Sequence, residues 1–186
     1  MKTAQTSPMR PLKTAALLLL LAGAPAVFAA DSLDHTATAD VAGRPKLSRG
    51  DMHFVDKVAK LGLEEIQLSK LAATQASREE VRQFAEKLVD AHEKANTELS
   101  MLASNKGLVL PTTNKVNVEK WAKKRDKEFD KDYLDAMIDA HKDAVELLEK
   151  NATKAEDTDV AAFARTNLPA MQEHLRMARE LRKLVD

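Results

Sequence analysis

The stretch SREEVRQFAEKLVDAHEKANTELSMLASNKG, Ser77 to Gly107, decides the fold class. Its apolar residues Val81, Phe84, Leu88, Ala95, Leu99 and Leu102 return to one face at the period of an α-helix. Ser77, followed three residues later by Glu80, has the form of a capping box and predicts where that helix begins. Gly107, just past the last apolar position, suits the left-handed residue that ends many helices. One residue on the buried stripe is polar: His92, between Leu88 and Ala95. The stretch therefore predicts a long helix that faces a core and carries an imidazole into it.

The same period continues on both sides. From Asp51 to Gln75 the stripe is Phe54, Val58, Leu61, Leu68 and Ala72; from Phe129 to Ala152 it is Leu134, Met137, Ile138, Ala144, Val145 and Leu148. Asp157 or Thr158 then caps a last helix with Val160, Phe163, Met171, Leu175, Ala178 and Leu181 inward. Pro169 falls inside it and removes a backbone donor, so a kink, or a break with restart, is expected near Leu168. The long connection is Gly107 to Asn117, which contains Pro111 and leads to a short charged segment around Trp121. Fully extended, it could reach about 35 Å, close to a helix length. The predicted fold is all-α: a four-helix bundle over residues 51–186, either simply antiparallel or with the crossover of ferritin-like proteins.

Towards the N-terminus the character changes. Arg10 and Lys13 precede the apolar run Thr14 to Ala22, and Val27-Phe28-Ala29 makes a cleavage box, so residues 1–29 read as a secretory signal peptide. The run is far shorter than the ~20 apolar residues a membrane-spanning helix needs. The mature protein is thus expected in the periplasm without a transmembrane segment. Residues 30–50, with Gly43 and Pro45 and no apolar period, read as a flexible lead-in. The absence of cysteine leaves no acceptor for a lipid anchor and excludes disulfides, thiolate metal sites and thioether-linked haem.

Composition narrows the function classes. Twenty-nine basic and 29 acidic residues balance, and loss of Lys2, Arg10 and Lys13 with the signal tips the mature chain slightly negative. Both signs are interspersed and aromatics are only 4%, which argues against a nucleic-acid surface. No nucleophile stands beside a recognisable base, and there is no glycine-rich phosphate cradle or hydrolytic carboxylate pair, so no enzyme class is indicated. His35 in the lead-in, His53 near the start of the first helix and the charged stretch Glu119 to Lys131 form no site.

Placed at 100° per residue, each helix carries one metal-competent side chain in its apolar stripe: Glu65, His92, His141 and His174. Counted from the short loops, the three histidines share a level, whereas Glu65 lies about four residues nearer its loop, a mismatch of roughly 6 Å. The lean of helical side chains towards the N-terminus closes part of that gap. Burying a carboxylate and three imidazoles costs several kcal/mol unless they meet one another, water or a cation. Two alternatives follow, a metal centre or a water-filled polar network. Three nitrogens and one oxygen would suit Zn, Cu or non-haem Fe. Met137 and Met171, about one turn before His141 and His174, are read as gap fillers, with a softer copper site as the other option.

Phe84-Ala85, His92-Glu93-Lys94-Ala95-Asn96, Phe129-Asp130, Tyr133-Leu134, His141, Phe163-Ala164, Leu168-Pro169 and His174-Leu175 together resemble domain-of-unknown-function family 4142, over about Asp51 to Leu184. The resemblance implies an exported, ferritin-like four-helix protein of the cell envelope, often labelled an outer membrane protein, and implies no activity. The family has Asp directly before the second-helix histidine, where this chain has Ala91. Ferritin-like di-iron centres carry Glu three residues before His on two helices, and Val89 and Met171 stand there instead, which disfavours ferroxidase chemistry. The expected function is a periplasmic bundle that binds a divalent metal ion or small cofactor at its centre, in metal handling or envelope stress tolerance. The alternative is an interaction or chaperone-like envelope protein whose central histidines are structural.

Overall fold

Ser48 opens the first helix: its side chain accepts the Asp51 backbone N–H at 3.1 Å, and α1 runs Arg49–Gln75. It is followed by α2 (Glu79–Asn105), α3 (Val118–Ala122), α4 (Asp126–Lys154) and α5 (Thr158–Leu184). The computed structural model describes residues 46–114, 116 and 118–185, and among them there is no strand. The expected signal over 1–29, His35 and most of the lead-in over 30–50 lie outside the described residues. The four long helices are those the periodicity predicts, and α3 is the charged segment around Trp121.

The apolar stripes meet in two clusters. One gathers Leu68, Phe84, Leu88, Phe129, Tyr133 and Met137; the other gathers Phe54, Val55, Leu99, Leu148, Val160 and Phe163. Each fully buried large side chain contributes roughly 1.5–3 kcal/mol of hydrophobic stabilisation. In sequence, the candidate polar residues fall between the two clusters on every long helix, so the polar layer divides the core.

The packing selects the crossover. α1 lies along α2 and α4 along α5, and between these hairpins α1 meets α4 while α2 meets α5. A simple up-and-down bundle would instead place α2 beside α4. The chain leaves α2 at Gly107, whose φ of 76° is the expected left-handed cap, and returns along α1. Gln67 Nε2 donates to the Asn114 carbonyl at 3.1 Å, Asn114 Nδ2 to the Lys60 carbonyl at 3.1 Å, and Gln75 Nε2 to the Lys124 carbonyl at 2.5 Å. Trp121 sets its ring edge-on to Phe129, 6.4 Å between centroids, and so ties the crossover to the core.

One local expectation is corrected and another is narrowed. The capping box at Ser77 does not form: Arg78 occupies the N-cap of α2 without a side-chain cap, and Glu80 is exposed. Asp130 of α4 takes the role from across the bundle, accepting from Ser77 N at 2.8 Å, Ser77 Oγ at 2.6 Å and Arg78 N at 2.9 Å. A buried carboxylate with three donors outcompetes an exposed one. Of the kink or the break with restart expected near Leu168, the break does not occur: α5 continues through Pro169. Proline there is exposed, so water can cover the carbonyl it leaves unbonded. Of the two caps expected for the last helix, Asp157 or Thr158, the structure uses Asp157, which accepts from Asp159 N at 2.9 Å and Val160 N at 3.2 Å.

The two hairpins repeat one another, a regularity not read from the sequence. A shift of 79 positions carries Glu79–Asn105 onto Thr158–Leu184 and Ala73-Thr74, Ala76, Val81 and Phe84-Ala85 onto Ala152-Thr153, Ala155, Val160 and Phe163-Ala164. The same shift carries Asp51 onto Asp130. The structure treats them alike: Asp51 reaches the turn of the other hairpin and accepts from Glu156 N at 3.3 Å and Asp157 N at 2.9 Å. Each hairpin thus caps the turn of its mate.

Candidate metal centre

Four helices each bring one polar side chain to the layer between the apolar clusters: Glu65 from α1, His92 from α2, His141 from α4 and His174 from α5. All are buried, His141 completely. The ring centroids are 5.6 Å apart for His92 and His141, 5.8 Å for His92 and His174, and 5.4 Å for His141 and His174. Glu65 Oε2 lies 3.0 Å from His92 Nε2, and Glu65 Oε1 lies 3.5 Å from His141 Nδ1. The register mismatch of α1 is therefore closed by side-chain reach. Glu65 meets the histidines of α2 and α4, the helices that flank α1.

Hydrogen bonding does not satisfy this cluster. His141 Nδ1 is 2.9 Å from the Met137 carbonyl, which fixes the proton on Nδ1 and leaves Nε2 with a free lone pair. That Nε2, His92 Nε2, His174 Nδ1 and Glu65 Oε1 are all buried without a hydrogen-bond partner. His92 Nε2 is close to Glu65 but not aligned with it for a hydrogen bond. One ring nitrogen from each histidine can be chosen so that all lie within 4.8 Å of one another. Around an ion with bonds of about 2.0–2.1 Å, tetrahedral ligands stand roughly 3.3 Å apart, so small ring rotations would complete such a shell. The donor set fits a borderline transition metal.

Electrostatics keep the imidazoles ready for that role. Burial, reinforced by His141 and His174, lowers His92 to about 3. Burial lowers His141 to about 4 against a smaller opposing effect of the Met137 carbonyl. His174 is also lowered to about 4, by burial first and then by His141 and Lys87. All three are neutral at neutral pH, the form that binds metals. Burial, with a contribution from Glu64, raises Glu65 to about 8.

The neighbourhood adds residues that periodicity did not single out. A cavity of about 40 Å³ adjoins the cluster, lined in part by Gly62, Glu65, His92, Ala95, Asn96 and Asn167. A Cβ at Gly62 would come within 2.4 Å of Asn96 Oδ1, so glycine makes the room that the Asn96 amide occupies. Asn96 belongs to the sequence His92-Glu93-Lys94-Ala95-Asn96, where its place one turn after His92 was the available signal. Ser69 Oγ and Tyr133 OH pair at 2.8 Å, buried one turn from Glu65 along α1. Met137 and Met171 pack in the apolar clusters, Met171 also lining the cavity, whereas His53 is exposed.

In fold, the chain is similar to a DUF305 fragment from Deinococcus radiodurans: TM-score 0.65, 14% identity, covering 75% of this chain and 99% of that one. It is similar also to CopM in its Cu(I)-bound form: TM-score 0.62, 15% identity, 70% of this chain and 93% of that one. At such identity the likeness carries the fold alone. No curated protein matches the sequence. No described helix is long and apolar enough to cross a membrane. Residues 36–181 match the family described as Domain of unknown function (DUF4142), and the chain belongs to that family.

Proposed function

We propose that this protein binds one divalent transition-metal ion at the centre of the bundle, through His92, His141 and His174 with Glu65 as fourth ligand, and handles metal as an exported periplasmic protein. The observation that carries the reading is the convergence of three buried, unpartnered imidazole nitrogens. Each buried polar atom left without a partner costs about 1–3 kcal/mol, and a cation would satisfy all of them together. Histidines kept only for structure normally end in hydrogen bonds, and that tells against the interaction-protein alternative. Export rests on the basic, apolar and small-residue order of residues 1–29.

Copper is the first ion to test. Zinc and iron suit the same ligand types, but CopM, built on a similar fold, has been captured with Cu(I), with Cu(II) and with Ag. Calorimetric titration of the mature protein with Cu²⁺, Zn²⁺ and Fe²⁺ should find one ion bound more tightly than about 100 μM, with a metal-dependent rise in melting temperature. His141→Ala should abolish that rise while leaving the helical circular dichroism in place. No binding of that strength by any of the three ions would reject the centre. So would a His141→Ala protein whose melting temperature drops by the same amount with metal as with chelator.

A further inference from the structure

The repeat of the two hairpins gives the cavity beside the histidines a meaning. Under the 79-position shift, Glu65 corresponds to Ala144, His92 to Met171, His141 to Gly62 and His174 to Ala95. Each of the four polar residues thus has an apolar or side-chain-free counterpart, and those four counterparts split into Gly62 and Ala95 on the first hairpin and Ala144 and Met171 on the second. All four line the one cavity, together with Glu65 and His92. The bundle therefore has two symmetry-related halves at its centre. One carries the proposed ligands, and the other, Gly62, Ala95 and Ala144 with Met171, borders the cavity.

From this we infer that the cavity is an exogenous-ligand site of the proposed metal centre, taking a small linear anion of two or three heavy atoms that coordinates end-on. The inference rests on the metal reading above. Roughly 10–15 Å³ suffices for one water, so about 40 Å³ has room for a guest of that size and little more. Two buried atoms without partners, His92 Nε2 and Glu65 Oε1, belong to residues of its wall, so the ion they would hold borders the space. The Asn96 amide, which makes no hydrogen bond among the described residues, supplies a donor for the far end of the guest. Asn167 is steadied by its own bond to the Phe163 carbonyl at 2.9 Å. Beside the four proposed protein ligands the anion would be a fifth, the expansion from four to five coordination that sites open to exogenous ligands allow.

The test uses the mature protein loaded with Cu²⁺, and azide as the probe. Metal stoichiometry is measured first, because absence of bound copper would overturn the metal reading itself and this inference with it. With copper in place, azide should give a saturable charge-transfer band. Ala144→Val puts two methyl groups into the cavity at a position that is not itself a proposed ligand. It should leave copper binding unchanged and weaken azide about ten-fold or more, the effect of steric loss in a small pocket. Should that variant fail to fold, Ala95→Val fills the same space from α2. Copper-loaded wild type that shows no azide band, or filled variants that bind azide like wild type, would overturn the site while leaving the metal centre standing.

Discussion

Asp130 and Asp157 both cap helices, yet they differ in what their removal leaves behind. Asp157 sits at the surface end of α5, and Lys106 Nζ reaches it at 2.7 Å as well as Asp159 at 2.6 Å. Asp157→Ala should cost about 1 kcal/mol, the usual loss of an N-cap. Asp130 is completely buried and holds three donors of the α1–α2 turn. Asp130→Ala takes the shared acceptor from those three part-buried donors and empties a fully buried position, and should cost about 2–4 kcal/mol, or roughly 10 °C of melting temperature for a domain of this size. Urea or thermal melts of the two variants side by side check the order. Equal losses would show that the reciprocal capping across hairpins adds nothing to an ordinary surface cap.

At the scale of elements, α5 contains the one local choice that works against its own helix. Pro169 stands between Phe163 and His174, in a stretch that is helical on both sides, and its side chain is exposed. Interior proline removes a hydrogen bond and crowds the preceding turn at a cost of about 3 kcal/mol. Pro169→Ala should therefore stabilise the metal-free protein by about 1–3 kcal/mol, read as a higher melting temperature. An unchanged or lower value would mean that the helix is already shaped around the proline. The same element shows what periodicity can and cannot provide: it set the stripe of α5 correctly, but the continuation through Pro169 depends on packing against α4 and α2.

Across the whole molecule, the polar layer makes stability depend on pH in two opposed ways. The three histidines have folded values of about 3 to 4, below the ordinary 6.5, so the unfolded chain binds more protons between those limits. Their contribution is present above pH 6.5 and is lost as pH falls through about 4. Glu65, raised from 4.5 to about 8, does the reverse: its contribution is present below 4.5 and is lost as pH rises through about 8. Three groups outweigh one on the acid side, and only Glu65 changes on the alkaline side. Stability of the chelator-treated protein should peak near pH 6.5. Urea midpoints at pH 4.5, 6.5 and 8.5 test this, and a midpoint that keeps rising to 8.5 would remove the protonated Glu65 from the account.

The sequence by itself determined the four long helices, their buried stripes, and the inward direction of Glu65, His92, His141 and His174. Those properties follow from the 3.6-residue period, which is local and repeats within each helix. It also determined the cap at Gly107, where a single residue carries the conformation, and narrowed the cap of the last helix to Asp157 or Thr158, of which the structure uses Asp157. What only the tertiary structure decided is everything that depends on which helices are neighbours. Two short loops and one long one are compatible with two topologies, and the crossover emerged only from α1 meeting α4 and α2 meeting α5. That pairing sets Asp130, far away in sequence, against Ser77 and so replaces the local capping box with a stronger, distant acceptor. It also turns four separate polar positions into one cluster and leaves their four repeat counterparts as a cavity, because a site's geometry is a property of packed distances, and sequence spacing fixes distances only within one helix.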